Sequence, residues 1–296
     1  MIKDGRRLGA IALVAASLGI SASAVLNKWA MGTGLHPVWL NVFRLGLAVL
    51  VTLPFFLRKR GAMQALRHAP RQDKLLMLLS GIMLAIHFFT WATALKYADS
   101  VIAVTIWSTF SLMCVVGSSL LLSERTPLPA LLGIVLAVGG VGICAVGASG
   151  SQLLGVVMAL CAAVTQAAYT LCGRAVRKRV DMLPYTMAVY SVAFILLLLC
   201  GLFLRLPTDG MNAQGIGASL LLALICTLGG HSMQNYALKF YKAPTVSAAI
   251  LTEVFTGPLL VFFVFGEVPK ITSVLGGVVI LLGVGWYMRY EWKHAK

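Results

Sequence analysis

Hydrophobic residues in this chain run in unbroken blocks of about twenty, unlike the i, i+3, i+4 or alternating patterns of soluble helices and strands. Pro, Gly and charged residues divide the blocks into ten segments, at about 8–30, 37–57, 75–95, 100–122, 128–147, 153–172, 184–204, 217–238, 243–265 and 270–289. A hydrocarbon core about 30 Å thick needs roughly 20 apolar residues of helix, and each block supplies that length. The pattern predicts an all-α integral membrane protein of ten transmembrane helices. Links between the blocks are mostly short, so helices adjacent in sequence are expected to be neighbours in one bundle without a soluble domain. The first block, in MIKDGRRLGAIALVAASLGISASAVL, has the basic start, apolar run and small residues of a secretory signal. It is expected to be a retained span, because it continues through Val25 toward Trp29 and has a matching copy later in the chain.

Composition strengthens this reading. Hydrophobic residues make up 59% of the chain and charged ones 11%, against roughly 45–50% and about 25% in soluble domains. A net charge of +15 would suggest a nucleic-acid surface in a soluble protein, but here the basic residues fall in alternate loops. One set of loops holds Lys3, Arg6, Arg7, Arg58, Lys59, Arg60, Arg67, Arg71, Lys74, Arg125, Arg174, Arg177, Lys178, Arg179, Lys239, Lys242, Arg289, Lys293 and Lys296, and the other only Lys28, Lys96, Arg205 and Lys270. Lys and Arg resist translocation, so the expectation is a multi-pass protein of a cell inner (cytoplasmic) membrane with both termini cytoplasmic. Partners are then the bilayer and a small-molecule metabolite, with no nucleic acid. The cysteines show neither CxxC nor Cys/His zinc spacing, so no metal and no cofactor is expected.

The chain repeats itself. An offset of 143 residues lays ALKYADS at Ala94 on ALKFYKA at Ala237, Glu124 on Glu267, Leu132-Gly133 on Leu275-Gly276 and Gly140-Val141-Gly142 on Gly283-Val284-Gly285. The expected units are residues 1–148 and 149–296. Five spans is an odd number, so the second unit enters the membrane from the opposite side, giving two inverted five-helix repeats. That arrangement suits alternating access around a central site, although duplication could also simply supply a large stable bundle. Because both halves lie in one chain, a monomer is sufficient; a homodimer is the alternative.

The segment ALKYADSVIAVTIWSTFSLMCVVGSSLLLSERTPLPALLGIVLAVGGVGI and its copy ALKFYKAPTVSAAILTEVFTGPLLVFFVFGEVPKITSVLGGVVILLGVGW resemble the EamA-type drug/metabolite transporter superfamily. Each carries an apolar run, a lone Glu at the span end and a Leu-Gly…Gly-Val helix. The resemblance implies a basket of ten helices around a cavity lined by the third, fourth, eighth and ninth, with help from the first and sixth, and a tilt toward export. HPVWLNVFRLGLAVLVTLPFFLRKR also resembles the family's second helix, where an Arg often stands at the place of Arg44. The family often has a Pro inside the fourth and ninth helices. Here those places read Trp107-Ser108-Thr109-Phe110 and Thr252-Glu253-Val254-Phe255, so a kink is expected to be absent or supplied by Gly257-Pro258.

Within the spans two charges stand out, and a charge at membrane depth is costly unless it is paired or hydrated. Glu253 is a candidate for binding a substrate ammonium or accepting a coupling proton, with a structural hydrogen bond as the alternative. Arg44 is a candidate clamp for a carboxylate or phosphate, or a snorkelling side chain. His87 and Trp91, four apart on one face, and Trp107 on the next helix form a candidate aromatic wall; gap filling is the alternative. Gln166 and Tyr169 on the sixth helix, beside Thr165, and His231 on the eighth, beside Gln234 and Asn235, are candidates for substrate contact or for helix-to-helix hydrogen bonds. HExxH, GxxxxGK[ST] and GxSxG are all missing from the sequence. The expectation is a non-enzymatic secondary transporter of small organic metabolites such as amino acids or amine-bearing compounds. A channel, or a structural or regulatory membrane protein, is the alternative.

Overall fold

The computed structural model describes residues 2–122, 132–133, 135–136, 139–140, 143, 151–268 and 270–294, and the described chain is helical and turn structure without strands. The expected fifth span, 128–147, lies largely outside these residues, as do Glu124, Arg125 and the boundary between the two expected units. The other nine expected spans are all present as helices.

The first span is α1 (Ile2–Ser21) followed by α2 (Ser23–Gly32), and the second is α3 (Pro37–Arg58). His36 caps α3, its Nδ1 accepting from the Val38 N–H at 3.3 Å, and Pro37 opens the helix where no N–H is needed. The short α4 (Ala62–Arg67) leads to α5 (Arg71–Tyr97), the third span. The fourth span is α6 (Ser100–Trp107), capped by Asp99 on the Ile102 N–H at 2.8 Å, and α7 (Phe110–Leu121). The sixth and seventh spans are α8 (Ser151–Arg177) and α9 (Met182–Phe203). The eighth runs from α10 (Ala213–Leu221) through a π-helical stretch, Leu222–His231, to α11 (Ser232–Ala237). The ninth is α12 (Ala243–Ile250) and α13 (Glu253–Phe265), and the tenth is α14 (Ile271–His294).

The fourth and ninth spans both break, at Ser108-Thr109 and at Leu251-Thr252, positions related by the same offset of 143 that relates the repeats. The expectation was a kink absent or supplied by Gly257-Pro258; the ninth span is instead interrupted at Leu251-Thr252, and Pro258 sits inside α13. No proline is needed for the break in the fourth span. The Ser108 and Thr109 hydroxyls donate back to the carbonyls of Thr105 (2.6 Å) and Ile106 (2.7 Å), and tight i to i+3 bonds such as Thr109 N–H to Ile106 O (3.1 Å) replace the regular ladder. In the ninth span, Leu251 N–H to Ala248 O (3.2 Å) and Val254 N–H to Leu251 O (3.0 Å) do the same. Serine hydroxyls of the first span brace this second break: Ser17 donates to Ala249 O at 2.8 Å and Thr256 donates to Ser21 Oγ at 2.6 Å.

Packing relies on small residues, as it must where lipid is as apolar as the protein interior. Among the described elements α5 and α8 share the most extensive contact, and Ala85, Ala92, Ala159, Ala162 and Ala163 are fully buried. Large apolar side chains such as Leu120, Phe203 and Phe263 are instead exposed on the outside, where a bilayer would cover them.

Alternation of the spans puts both described chain ends on one face, called here the basic face. Ion pairs join the halves there, Asp73 with Arg179 and Lys59 with Asp181 (3.0 Å), and Lys239 of the second half also reaches Asp181 (3.2 Å). On the opposite face Lys28 pairs with Glu267, and Lys270 donates to Gln152 Oε1 at 2.8 Å. Leu122 ends the fourth span on the basic face and Gln152, near the start of the sixth, lies on the opposite face. The described architecture is that of two inverted five-helix repeats.

Candidate functional site

At the middle of the bundle Ile20, Ser23, Arg44, His87, Phe88, Trp91, Trp107, His231 and Glu253 surround one small cavity. They come from the first, second, third, fourth, eighth and ninth spans, so both halves contribute. Their common feature is position: the helix breaks at Ser108-Thr109 and Leu251-Thr252 put Trp107 immediately before one break and Glu253 immediately after the other.

Arg44 reaches the cavity fully buried. Its Nε donates to Thr227 Oγ1 at 2.7 Å, and the guanidinium carbon lies 3.7 Å from the centre of the Phe88 ring. This hold fixes the plane of the guanidinium by its inner nitrogen and one face. The outer fork, Nη1 and Nη2, is buried with no hydrogen-bond partner among the described residues. Thr227 itself lies in the π-helical stretch, where the i to i+5 pitch turns its hydroxyl to Leu222 O at 3.3 Å. Such stretches are rare in helices and concentrate at functional sites.

Glu253 is equally buried, and neither carboxylate oxygen has a hydrogen-bond partner among the described residues. Gly257, one turn along, lies beside it: a methyl group there would be 3.5 Å from Glu253 Cγ. The cavity is thus lined by one basic and one acidic side chain, with the guanidinium fork and the carboxyl oxygens each lacking a hydrogen-bond partner among the described residues. More than nine in ten buried polar groups in folded proteins have one, which makes this juxtaposition informative.

Aromatic rings complete the wall. Trp91 and Trp107 are 5.5 Å apart between centroids, Trp107 stacks on Phe110 at 4.6 Å, and His87 lies 6.4 Å from Trp107 and 6.1 Å from His231. Trp91 Nε1 donates to Ser23 Oγ at 3.0 Å, whereas the Trp107 N–H and His231 Nδ1 have no partner among the described residues. His87 Nδ1 lies 2.9 Å from the Ala162 carbonyl. A carbonyl can only accept, so that nitrogen carries the proton.

Six of the eight candidate residues, Arg44, His87, Trp91, Trp107, His231 and Glu253, therefore meet at one point. Gln166 and Tyr169 do not line it. Tyr169 accepts from Asn235 Nδ2 at 2.5 Å and packs edge-on to His231, while Gln166 faces Gln234 at 3.5 Å and Gln234 donates to Thr170 at 3.1 Å, a set of bonds tying the sixth span to the eighth. Sequence reasoning missed Ser23, Phe88 and Thr227. Phe88 follows His87 directly, and single-helix spacing does not distinguish which of two adjacent residues faces inward. Ser23 and Thr227 are ordinary in sequence and matter through what they hold.

Two non-overlapping stretches of the chain, residues 7–146 and 153–289, each match the EamA-like transporter family. The chain belongs to the EamA-like transporter family. It is a multi-pass membrane transporter. An uncharacterized transporter of Archaeoglobus fulgidus is 24% identical over 281 residues, covering 94% of this chain and 95% of that protein. A solved crystal structure superposes with a TM-score of 0.67 at 16% identity, over 97% of this chain and 98% of its own; at that identity the likeness shows the fold alone. In this EamA-like chain the duplicated match falls on the two halves that close around the cavity.

Proposed function

We propose that this transporter carries small dipolar organic metabolites, of the size and charge pattern of amino acids, by alternating access across the cytoplasmic membrane, with both termini in the cytoplasm and net export as its working direction. One observation carries the substrate class: the Arg44 fork and the Glu253 carboxylate are buried, unpaired and exposed to the same cavity. A guanidinium fork matches a carboxylate in a bidentate arrangement. A buried carboxylate matches an ammonium group, and the faces of Trp91 and Trp107 suit the adjacent cationic carbon.

The cavity volume is about 10 Å³, room for about one water. A substrate therefore enters only when the helices around it separate, and the two breaks at equivalent places provide the points at which the fourth and ninth spans bend. Glu253 also supports proton coupling, since a proton and a substrate ammonium compete for the same carboxylate and binding one displaces the other. The basic face, with its Arg and Lys excess, supports cytoplasmic termini, and the export direction follows the family resemblance.

The test is a thermal-shift screen of the purified protein against amino acids, simple carboxylates, simple amines, nucleosides and cationic drugs, followed by flux of any hit in everted vesicles with and without a proton gradient. A ligand of the native state raises stability by RT ln(1 + [L]/Kd). Compounds carrying both charges are expected to shift the melting temperature, and compounds carrying one are not. A shift from amines alone that survives Arg44→Gln would refute the dipolar reading.

A further inference from the structure

A second charged pair lies above the central site. On the face opposite the basic one a recess of about 560 Å³ is lined by Lys28, Met31, Gly32, Leu95, Lys96, Phe265 and Glu267. Lys28 and Glu267 are joined by an ion pair, and each is only about one fifth exposed, at 19% and 21%. The other Glu267 oxygen accepts the Ser100 N–H at 2.7 Å, so this one carboxylate ties the end of the ninth span to both the first span and the start of the fourth. Lys28 and Ser100 belong to the first repeat and Glu267 to the second.

The recess and the central cavity are lined by the same two helices. Along α2, Ser23 lines the cavity and Lys28 the recess; along α5, Trp91 lines the cavity and Leu95 the recess. At 1.5 Å per residue those steps are only about 6–8 Å along each helix axis. The Lys28 and Glu267 side chains thus line the open recess a short step along the helices from the closed cavity, and they join the two repeats there.

We propose that the Lys28–Glu267 pair is the gate on this face, the contact that must break for the central site to open away from the basic face. On the other face Asp73–Arg179 and Lys59–Asp181 join the halves, and on this face Lys28–Glu267 does so. Loss of either charge there unlatches the side chains, while the carbonyl and amide contacts that hold α2 and α6 helical stay intact. The gate rests on the carrier reading only in requiring that the halves separate; it is independent of substrate identity.

The test needs no substrate. Ser23→Cys places a thiol on the cavity wall, and its reaction with a charged, membrane-impermeant methanethiosulfonate is followed from each side in vesicles of both orientations. The chain without Ser23→Cys serves as the blank for the native cysteines. Glu267→Gln keeps side-chain shape and an acceptor for the Ser100 N–H, Lys28→Met removes the other charge, and Lys28→Arg keeps the pair. Labelling through the recess is expected to accelerate at least tenfold in Glu267→Gln and Lys28→Met, to stay at the parental rate in Lys28→Arg, and to be unchanged from the basic face. Unchanged labelling in Glu267→Gln, or equal acceleration in Lys28→Arg and Lys28→Met, overturns the gate. A gate that responds as expected while no dipolar compound binds would leave the gate standing and refute the substrate reading instead.

Discussion

Glu253→Gln separates stability from function more sharply than any other single change. The native carboxylate is buried and has no hydrogen-bond partner among the described residues. An unsatisfied buried polar group costs about 1–3 kcal/mol, and more when charged. Replacing it by the isosteric amide removes the charged form and leaves a group that is cheaper to bury, so the substrate-free protein is expected to gain on the order of 1 kcal/mol or more. For a chain of this size that is a rise of a few °C in melting temperature, read by differential scanning fluorimetry in detergent. Binding moves the other way. A charge-assisted hydrogen bond to a substrate ammonium is worth about 1.5–3 kcal/mol, so affinity for a dipolar ligand should fall by about tenfold to somewhat over a hundredfold. A variant that melts lower than the parent and binds as well as the parent would refute the reasoning, because it would make Glu253 a structural group.

Other changes test separate parts of the structure. Gly19→Ala would place a methyl 2.7 Å from the Ile225 carbonyl and 3.0 Å from the Gly230 nitrogen, both backbone atoms of the π-helical stretch, and should cost about 1–3 kcal/mol; Gly217→Ala, with nothing within 4 Å, should be neutral or slightly stabilising by the same melting assay. Trp107→Phe keeps an aromatic ring toward Phe110 but removes the N–H, which has no partner among the described residues, together with part of the buried ring volume, so it should weaken ligand binding at a smaller stability cost than Trp107→Ala, which should lose about 3–5 kcal/mol from the vacated core volume. A hydrogen bond from Lys59, with help from Lys239, holds the Asp181 carboxyl below the usual carboxylate range. Its folded value being depressed, Asp181 stabilises the protein above its unfolded value of about 3.9 and loses that contribution as pH falls through the folded value. The group is half exposed and screened by solvent, so Asp181→Asn should cost under about 1 kcal/mol at neutral pH, and the difference should vanish in acid; a difference constant from pH 7 to 3 would refute it.

The spans, their number in each half and the duplication were legible because each is written locally: a bilayer demands about twenty apolar residues per crossing, and a repeat needs only an offset to be seen. Arg44 and Glu253 were legible as candidates for the same reason, since a charge inside an apolar block is conspicuous in any fold. Their relation was not. Whether Arg44 meets Glu253, snorkels to a surface or pairs with a carbonyl depends on how the second span packs against the eighth and ninth, and that packing set Thr227 and Phe88 against the guanidinium and left its fork free. Lys28 read only as one of the few basic residues of the opposite loops, and only the approach of the two halves made it the partner of Glu267.

The same division holds for the kinks. A proline is a local signal, so the expectation was a kink either at Gly257-Pro258 or nowhere; the breaks instead formed at Ser108-Thr109 and Leu251-Thr252, where hydroxyls or neighbouring spans satisfy the loosened backbone. Gln166 and Tyr169 show the same limit from the other side, since a polar residue at cavity depth can face the cavity or the next helix, and helix rotation decides between them. The amino-acid pattern alone determined that this chain crosses a membrane as an inverted duplication with charge buried at its centre, because solvent forces that pattern residue by residue. The tertiary structure decided which buried groups face one another and which remain unpaired, because those outcomes depend on the rotation and approach of helices far apart in the chain.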